Sequence, residues 1–275
     1  MDPVAIVKYS QDIRRTLEEG LNLLGGFGNL KSPVLVKPNL CTIKDGTGHS
    51  VTDTEVVKTI VDLMLEVDSK LSIKIIESDS QSKDAQECFE KFGYTEFCEG
   101  KQESGFDVST VDLSCIPLAK ISFDGEYFTN PELPDIITQP HYFISVAAAK
   151  THGTSYITGV MKNLFGVLPR KDMSVYHSKI HEVITDLAHI LRPELNIVDA
   201  RVGVEDWNGP TTHEIGAFIL GKQPASVDAV MTRIFELDPK DVGHLIKSIK
   251  YDLGLLDPIV VGERIEEVSV KFSTP

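Results

Sequence analysis

The chain has 275 residues, 41% hydrophobic and 25% charged, with a formal net charge of −14 at pH 7. This is globular composition, and its acidity argues against gripping nucleic acid through clustered lysine and arginine. No apolar run approaches the ~20 residues that cross a membrane, and Met1-Asp2-Pro3 leads into a strand rather than a secretory leader, so a cytoplasmic chain without nucleic-acid or membrane partners is expected.

Strand and helix signals alternate along the chain. Val4–Val7 reads as a strand, and Asp12–Leu24 as a helix closed by Gly25-Gly26. Pro33-Val34-Leu35-Val36 is a short buried strand. Thr52 and Glu55 form a capping box that opens a helix with apolar Val56, Val57, Ile60, Val61 and Met64. Ser72–Ile76 is a strand, Ala85–Phe92 a helix, and Val108–Leu113 a strand. A loop-rich stretch with four prolines runs from Cys115 to Pro140 and marks an insertion or lobe boundary around 115–140.

Tyr142–Ala149 is almost wholly apolar, as in a strand buried on both faces. A helix or helical pair is predicted over about 158–168 and a further helix over 175–191, the latter with Ile180, Val183, Ile184, Leu187 and Ile190 on one face. Leu195–Val198 and Ala217–Leu220 read as strands, then Ser226–Phe235 and Pro239–Ile249 as helices. The tail 259–272 reads as one or two edge strands. Strands separated by helices imply an α/β fold, a mostly parallel sheet flanked by helices. The whole chain, 1–275, forms one family domain, with room for two lobes and a site between them.

Cys41, Cys88, Cys98 and Cys115 show no C-x-x-C spacing and no ferredoxin-type run, so this chain carries no iron–sulfur ligand set. Four buried or half-buried thiols in a reducing compartment are the expectation.

In a parallel sheet, ligands bind beyond the carboxyl ends of the strands. Four strands end there in polar groups: Lys37-Pro38-Asn39, Glu77-Ser78-Asp79, Lys150-Thr151-His152 and Asp199. Next, a Gly- and Thr-rich turn through Thr158 and Gly159 leads into a helix bearing Lys162 and Asn163. Free N–H groups at that helix start, with nearby lysines, suggest an anion site. The glycine spacing is wrong for a Walker A loop.

Lys162 lies among Val160, Met161, Leu164 and Phe165. Desolvation would lower its pKa toward that of a base or nucleophile, whereas a snorkelling surface lysine is the plainer alternative. His177 and His181, four apart, fall on neighbouring parts of one helical face but lack a zincin glutamate. His177 is the stronger catalytic candidate, and His181 and His189 are expected to be partly exposed. Asn208-Gly209-Pro210 is a turn signal, and the lone Trp207 beside it could line a pocket.

These segments resemble the family catalogued as domain of unknown function 362, often seen beside ferredoxin-type modules. The resemblance rests on Val36–Leu40, Ala149–His152, Thr158–Gly166 and His177, and continues through Asp199, Gly209-Pro210 and Val227–Ala229. It implies a family and not a reaction, with a ferredoxin-type protein as a candidate partner. One window is also similar to the nickel-dependent lactate racemase family: His152, Lys162 ten positions later, Leu168-Pro169, and His177 fifteen after the lysine. That similarity implies a nickel-bearing, nucleotide-derived cofactor on the lysine, with His152 and His177 as metal-ligand or acid–base candidates. Val160-Met161 stand where that family has glycines.

Three functions remain open from sequence. The first is an enzyme that moves protons at a carbon centre of a small anionic metabolite, in the manner of a racemase or isomerase. Lys162, His177 and His152 would be catalytic; Lys37, Asn39, Lys150, Thr158, Gly159, Asn163 and Asp199 would hold the anion. The second is the substrate- or cofactor-binding component of an iron–sulfur-linked reductase. The third is a non-catalytic anion-binding protein.

Overall fold

The computed structural model describes residues 2–169 and 172–275. The first half contains β1 (Val4–Lys8), α1 (Ile13–Leu23), β2 (Val34–Pro38), α2 (Thr54–Val67), β3 (Ser72–Glu77), α3 (Ala85–Lys91), α4 (Tyr94–Glu103) and β4 (Asp107–Asp112). A small antiparallel hairpin of β5 (Leu118–Lys120) and β6 (Glu132–Pro134) occupies the proline-rich stretch. The second half contains β7 (Tyr142–His152), β8 (Tyr156–Thr158), α5 (Val160–Asn163), α6 (Ile180–Leu191), β9 (Leu195–Val204), β10 (Thr212–Gly221), α7 (Pro224–Ile234), α8 (Gly243–Ser248), β11 (Val260–Gly262) and α9 (Ile265–Val268).

The main sheet runs β11-β1-β10-β9-β7-β2-β3-β4, with β8 folded back on β7. From β9 to β4 every neighbour is parallel; β10 is antiparallel to both β9 and β1. The exception follows from connection length, because the short link from Glu205 to Thr211 can only return the chain antiparallel.

Side-chain alternation shows why the central strands read as continuous apolar runs. Leu35, Phe143 and Ala147 join one hydrophobic cluster with α6 and α7; Val34, Val36, Ile144 and Val146 join another with α1 and α2. The sheet is therefore covered on both faces, so both alternating sets must be apolar.

Some predicted elements differ. Thr52 does not cap α2: Asp53 does, accepting from the Glu55 N–H. The Thr52 hydroxyl accepts from Asn39 N–H and donates to Val146 O, tying the end of β2 to β7. Over 158–168 the structure has the helical pair rather than one helix, and it starts late: Thr158 belongs to β8, α5 is one turn, and a 3-10 turn covers Leu164–Val167. A 3-10 helix over Met173–Lys179 precedes α6, so His177 and His181 do not share a face. His181, partly exposed like His189, instead stacks on the buried His244. α4 was not foreseen; it starts from Gly93 in the left-handed region (φ 74°), immediately after α3. The tail supplies β11 and then a helical turn, α9, rather than a second edge strand. Cys88 and Cys98 are buried and Cys41 half-buried, but Cys115 is exposed; all four are free.

Candidate functional site

In the parallel part of the sheet, β2, β3 and β4 proceed to one side while β7 and β9 proceed to the other. The order reverses between β2 and β7, where two adjacent strands diverge and leave a crevice beyond their carboxyl ends. A cavity of about 540 Å³ opens at this rim. β2 delivers Lys37 and Asn39 to it, β3 Glu77, β7 Lys150 and His152, and β8 Thr158; α5 adds Lys162 and Asn163. Trp207, from the β9–β10 link, and His177, from the 3-10 helix before α6, complete the lining.

Four lysines line the cavity, and three are already committed. Lys37 is 1% exposed; its ammonium donates to Glu77 Oε2 (2.7 Å) and Pro38 O (2.7 Å), with Asn163 Oδ1 at 3.5 Å. Glu77 also pairs with Lys83 (2.9 Å) and accepts the Ser78 N–H (2.9 Å). Lys150 is fully buried and donates to Asn39 Oδ1 (3.0 Å), Ser50 O and Cys41 Sγ (3.4 Å). An ammonium has three hydrogens, so Lys37 and Lys150 supply fixed positive charge here rather than free donors.

Lys162 is different. No hydrogen bond or ion pair joins its Nζ to any described residue; the amine lies over the Phe165 ring, 5.1 Å from the centroid. Burial and the neighbouring Lys150 lower its pKa to about 8, partly opposed by Cys41. Burial also lowers the Lys37 pKa to about 8, against the raising pull of Glu77, but unlike Lys162 its nitrogen is held by hydrogen bonds to Glu77 and Pro38.

His152 stays neutral, its pKa lowered to about 3 by burial, then by Lys162, Lys150 and His177. Its Nδ1 accepts the Thr154 N–H (3.1 Å) across the β7–β8 turn, which leaves the proton on Nε2. His152 is thus a hydrogen-bond donor rather than a ready base. His177 is exposed at the mouth. Thr158, 5% exposed, has a hydroxyl without a partner among the described residues, as does fully buried Ser78.

Two sequence-based site residues are placed otherwise. Gly159 does not open a free anion site, because Asp228 of α7 already accepts the N–H groups of Val160 (2.7 Å) and Met161 (3.0 Å). A Cβ on Gly159 would lie 2.0 Å from Asp228 Oδ1, so this carboxylate excludes any side chain there. Asp199 lies outside the lysine cavity, in a separate depression where it and Asp53 bind Arg201. Asn163 is a clamp: its amide donates to Lys37 O (2.9 Å) and Ser145 Oγ (3.1 Å).

Sequence reading missed Lys83, Cys41 and the capping role of Asp228. Asp228 alone left a signal, a carboxylate within a helix whose neighbours are all buried. Gly166 is explained here too: a Cβ would meet Glu77 Oε1 at 2.3 Å and Lys37 Nζ at 2.5 Å. Among the described residues, no three His, Cys, Asp or Glu side chains gather as a metal site. With His152 Nδ1 occupied by a backbone N–H and His177 exposed, the residues present do not assemble a nickel ligand set.

A family profile described as Domain of unknown function (DUF362) matches residues 34–233, a span that contains every cavity residue from Lys37 to Trp207. The thylakoid-associated protein sll1697 of Synechocystis sp. is 26% identical over 236 residues, covering 81% of this chain and 70% of that protein. No helix among the described residues is long and apolar enough to cross a membrane.

Proposed function

This chain belongs to the DUF362 family, and we propose that it is an enzyme that binds a small anionic metabolite in the lysine cavity and moves protons at one of its carbons. One observation carries the reading: among the described residues Lys162 is an uncommitted amine in a cavity whose other lysines are locked in place. Against a chain charge of −14, the cavity presents four lysines and two acids, Glu77 and Asp206. Such local reversal draws an anion into the cavity. Lys37 and Lys150 act as fixed positive charges, and the free donors of His152, Thr158 and Lys162 meet the ligand.

With a pKa of about 8, the Lys162 amine is uncharged in a useful fraction of molecules near neutral pH, as acid–base chemistry at carbon requires. His177 at the mouth is positioned to exchange protons with solvent. Four free thiols support a reducing compartment, which we propose is the cytoplasm.

Trp207, the chain's lone tryptophan, lines the cavity and reports on its occupancy. Titration with lactate, pyruvate or inorganic phosphate should give a saturable fluorescence change for at least one anion. Lys162→Met should weaken it ~10-fold or more, the loss of one charge-assisted hydrogen bond. For an acid that binds, NMR in D₂O should show exchange of its carbon-bound hydrogen by the wild type alone. No saturable change with any anion, or equal affinity in the variant, would refute the reading.

A further inference from the structure

We propose that Lys162 is a nucleophile that condenses with the carbonyl carbon of an anionic oxo acid to form an imine. The inference rests on the anion-binding reading above and narrows its substrate class. An amine can attack a carbonyl only if its lone pair is free of hydrogen-bond and ion-pair commitments. Among the described residues, this fits Lys162 alone of the cavity lysines: Lys37 and Lys83 share Glu77, and Lys150 is held by Asn39, Cys41 and Ser50. Burial disfavours the charged form of Nζ and the locked Lys150 repels a second ammonium, while the Phe165 ring face, 5.1 Å away, offers it only a weak cation–π contact in place of a hydrogen-bond partner.

The surroundings suit the partner as well. Locked ammonium groups attract a carboxylate without capturing the carbonyl oxygen. That oxygen needs a neutral donor, which His152 Nε2–H and the unpartnered Thr158 hydroxyl supply. In the step itself, the Lys162 nitrogen bonds to the carbonyl carbon and the carbon–oxygen bond breaks. The two amine hydrogens leave with that oxygen as water, so no oxidant or reductant takes part. The resulting imine withdraws electrons from the adjacent carbon, where proton transfer then becomes easier.

Intact protein incubated with glyoxylate and cyanoborohydride should gain one glyoxylate less one oxygen atom, because reduction fixes the imine as a secondary amine. Peptide mapping should place it on Lys162 at least ~10-fold above any other lysine, and Lys162→Met should abolish it. Glycolate, the hydroxy counterpart, serves as control in the Trp207 fluorescence assay. Saturable binding of glyoxylate and glycolate without a Lys162 adduct would overturn the imine and leave the anion site standing. Neither binding nor adduct would overturn both. An adduct spread over exposed lysines, or retained in Lys162→Met, would overturn the imine.

Discussion

At the residue scale, the four cavity lysines look alike in the sequence and do different things in the fold. Lys37 is buried against Glu77, so Lys37→Ala leaves that carboxylate buried with only Lys83 and Ser78 as partners. The expected loss is ~3–5 kcal/mol in urea unfolding, the range for breaking one side of a buried ion pair. Lys162→Ala gives up a ring contact and no hydrogen bond, so its loss should stay within about 1 kcal/mol. Comparable losses in both variants would mean that Lys162 is a packing residue. The sequence did reveal Lys162, by its apolar flanks, and Lys37, by its place after a buried strand. It could not reveal that Lys37 is committed, because its partner lies forty residues away on a neighbouring strand.

At the element scale, the segment from Thr158 to Gly166 shows why a motif can be plain in sequence while its shape is not. A one-turn helix cannot stabilise itself, since nucleation costs more than its few hydrogen bonds return. α5 persists because Asp228 caps it from α7 and β8 anchors its start on β7. Gly159→Ala forces Asp228 aside, and Asp228→Ala removes the cap; each should cost ~1–3 kcal/mol. Because both changes disable one contact, the double variant should lose less than the sum, and strict additivity would show that the two positions act independently. The helix or helical pair predicted over 158–168 begins only at Val160, because helical periodicity does not register a hairpin strand of three residues.

At the scale of the whole molecule, several histidines are held neutral by burial. His244 is fully buried with its pKa lowered well below normal, by burial, then His181 and Lys162; that of His181 is lowered by burial and Lys247, against Glu182. The unfolded chain therefore binds more protons below pH ~6.5, so stability is complete above that value and declines as pH falls. Each such histidine contributes a slope of up to about 1.4 kcal/mol per pH unit. Asp228, its pKa raised by burial against the pull of the Met161 and Val160 N–H groups, works in the opposite sense, so a variant comparison is needed. His244→Gln should flatten the decline between pH ~6.5 and 5 relative to wild type. Parallel pH profiles would show that His244 is not a source of acid sensitivity.

The sequence by itself determined the layered α/β architecture, because burial of a sheet on both faces leaves continuous apolar strands that local pattern reports directly. It also determined that polar groups gather at strand ends, since each must leave the core where its strand does. Only the tertiary structure decided which of these groups share a cavity and which are spent on one another. β2, β3 and β7 meet at the switch of strand order, whereas Asp199 on β9 turns to Arg201, which it shares with Asp53. The helix start at Gly159, open to an anion when read from sequence, is closed by a carboxylate from α7. Strand order, and the partner each charge finds, depend on contacts between distant segments, and no local pattern of residues encodes them.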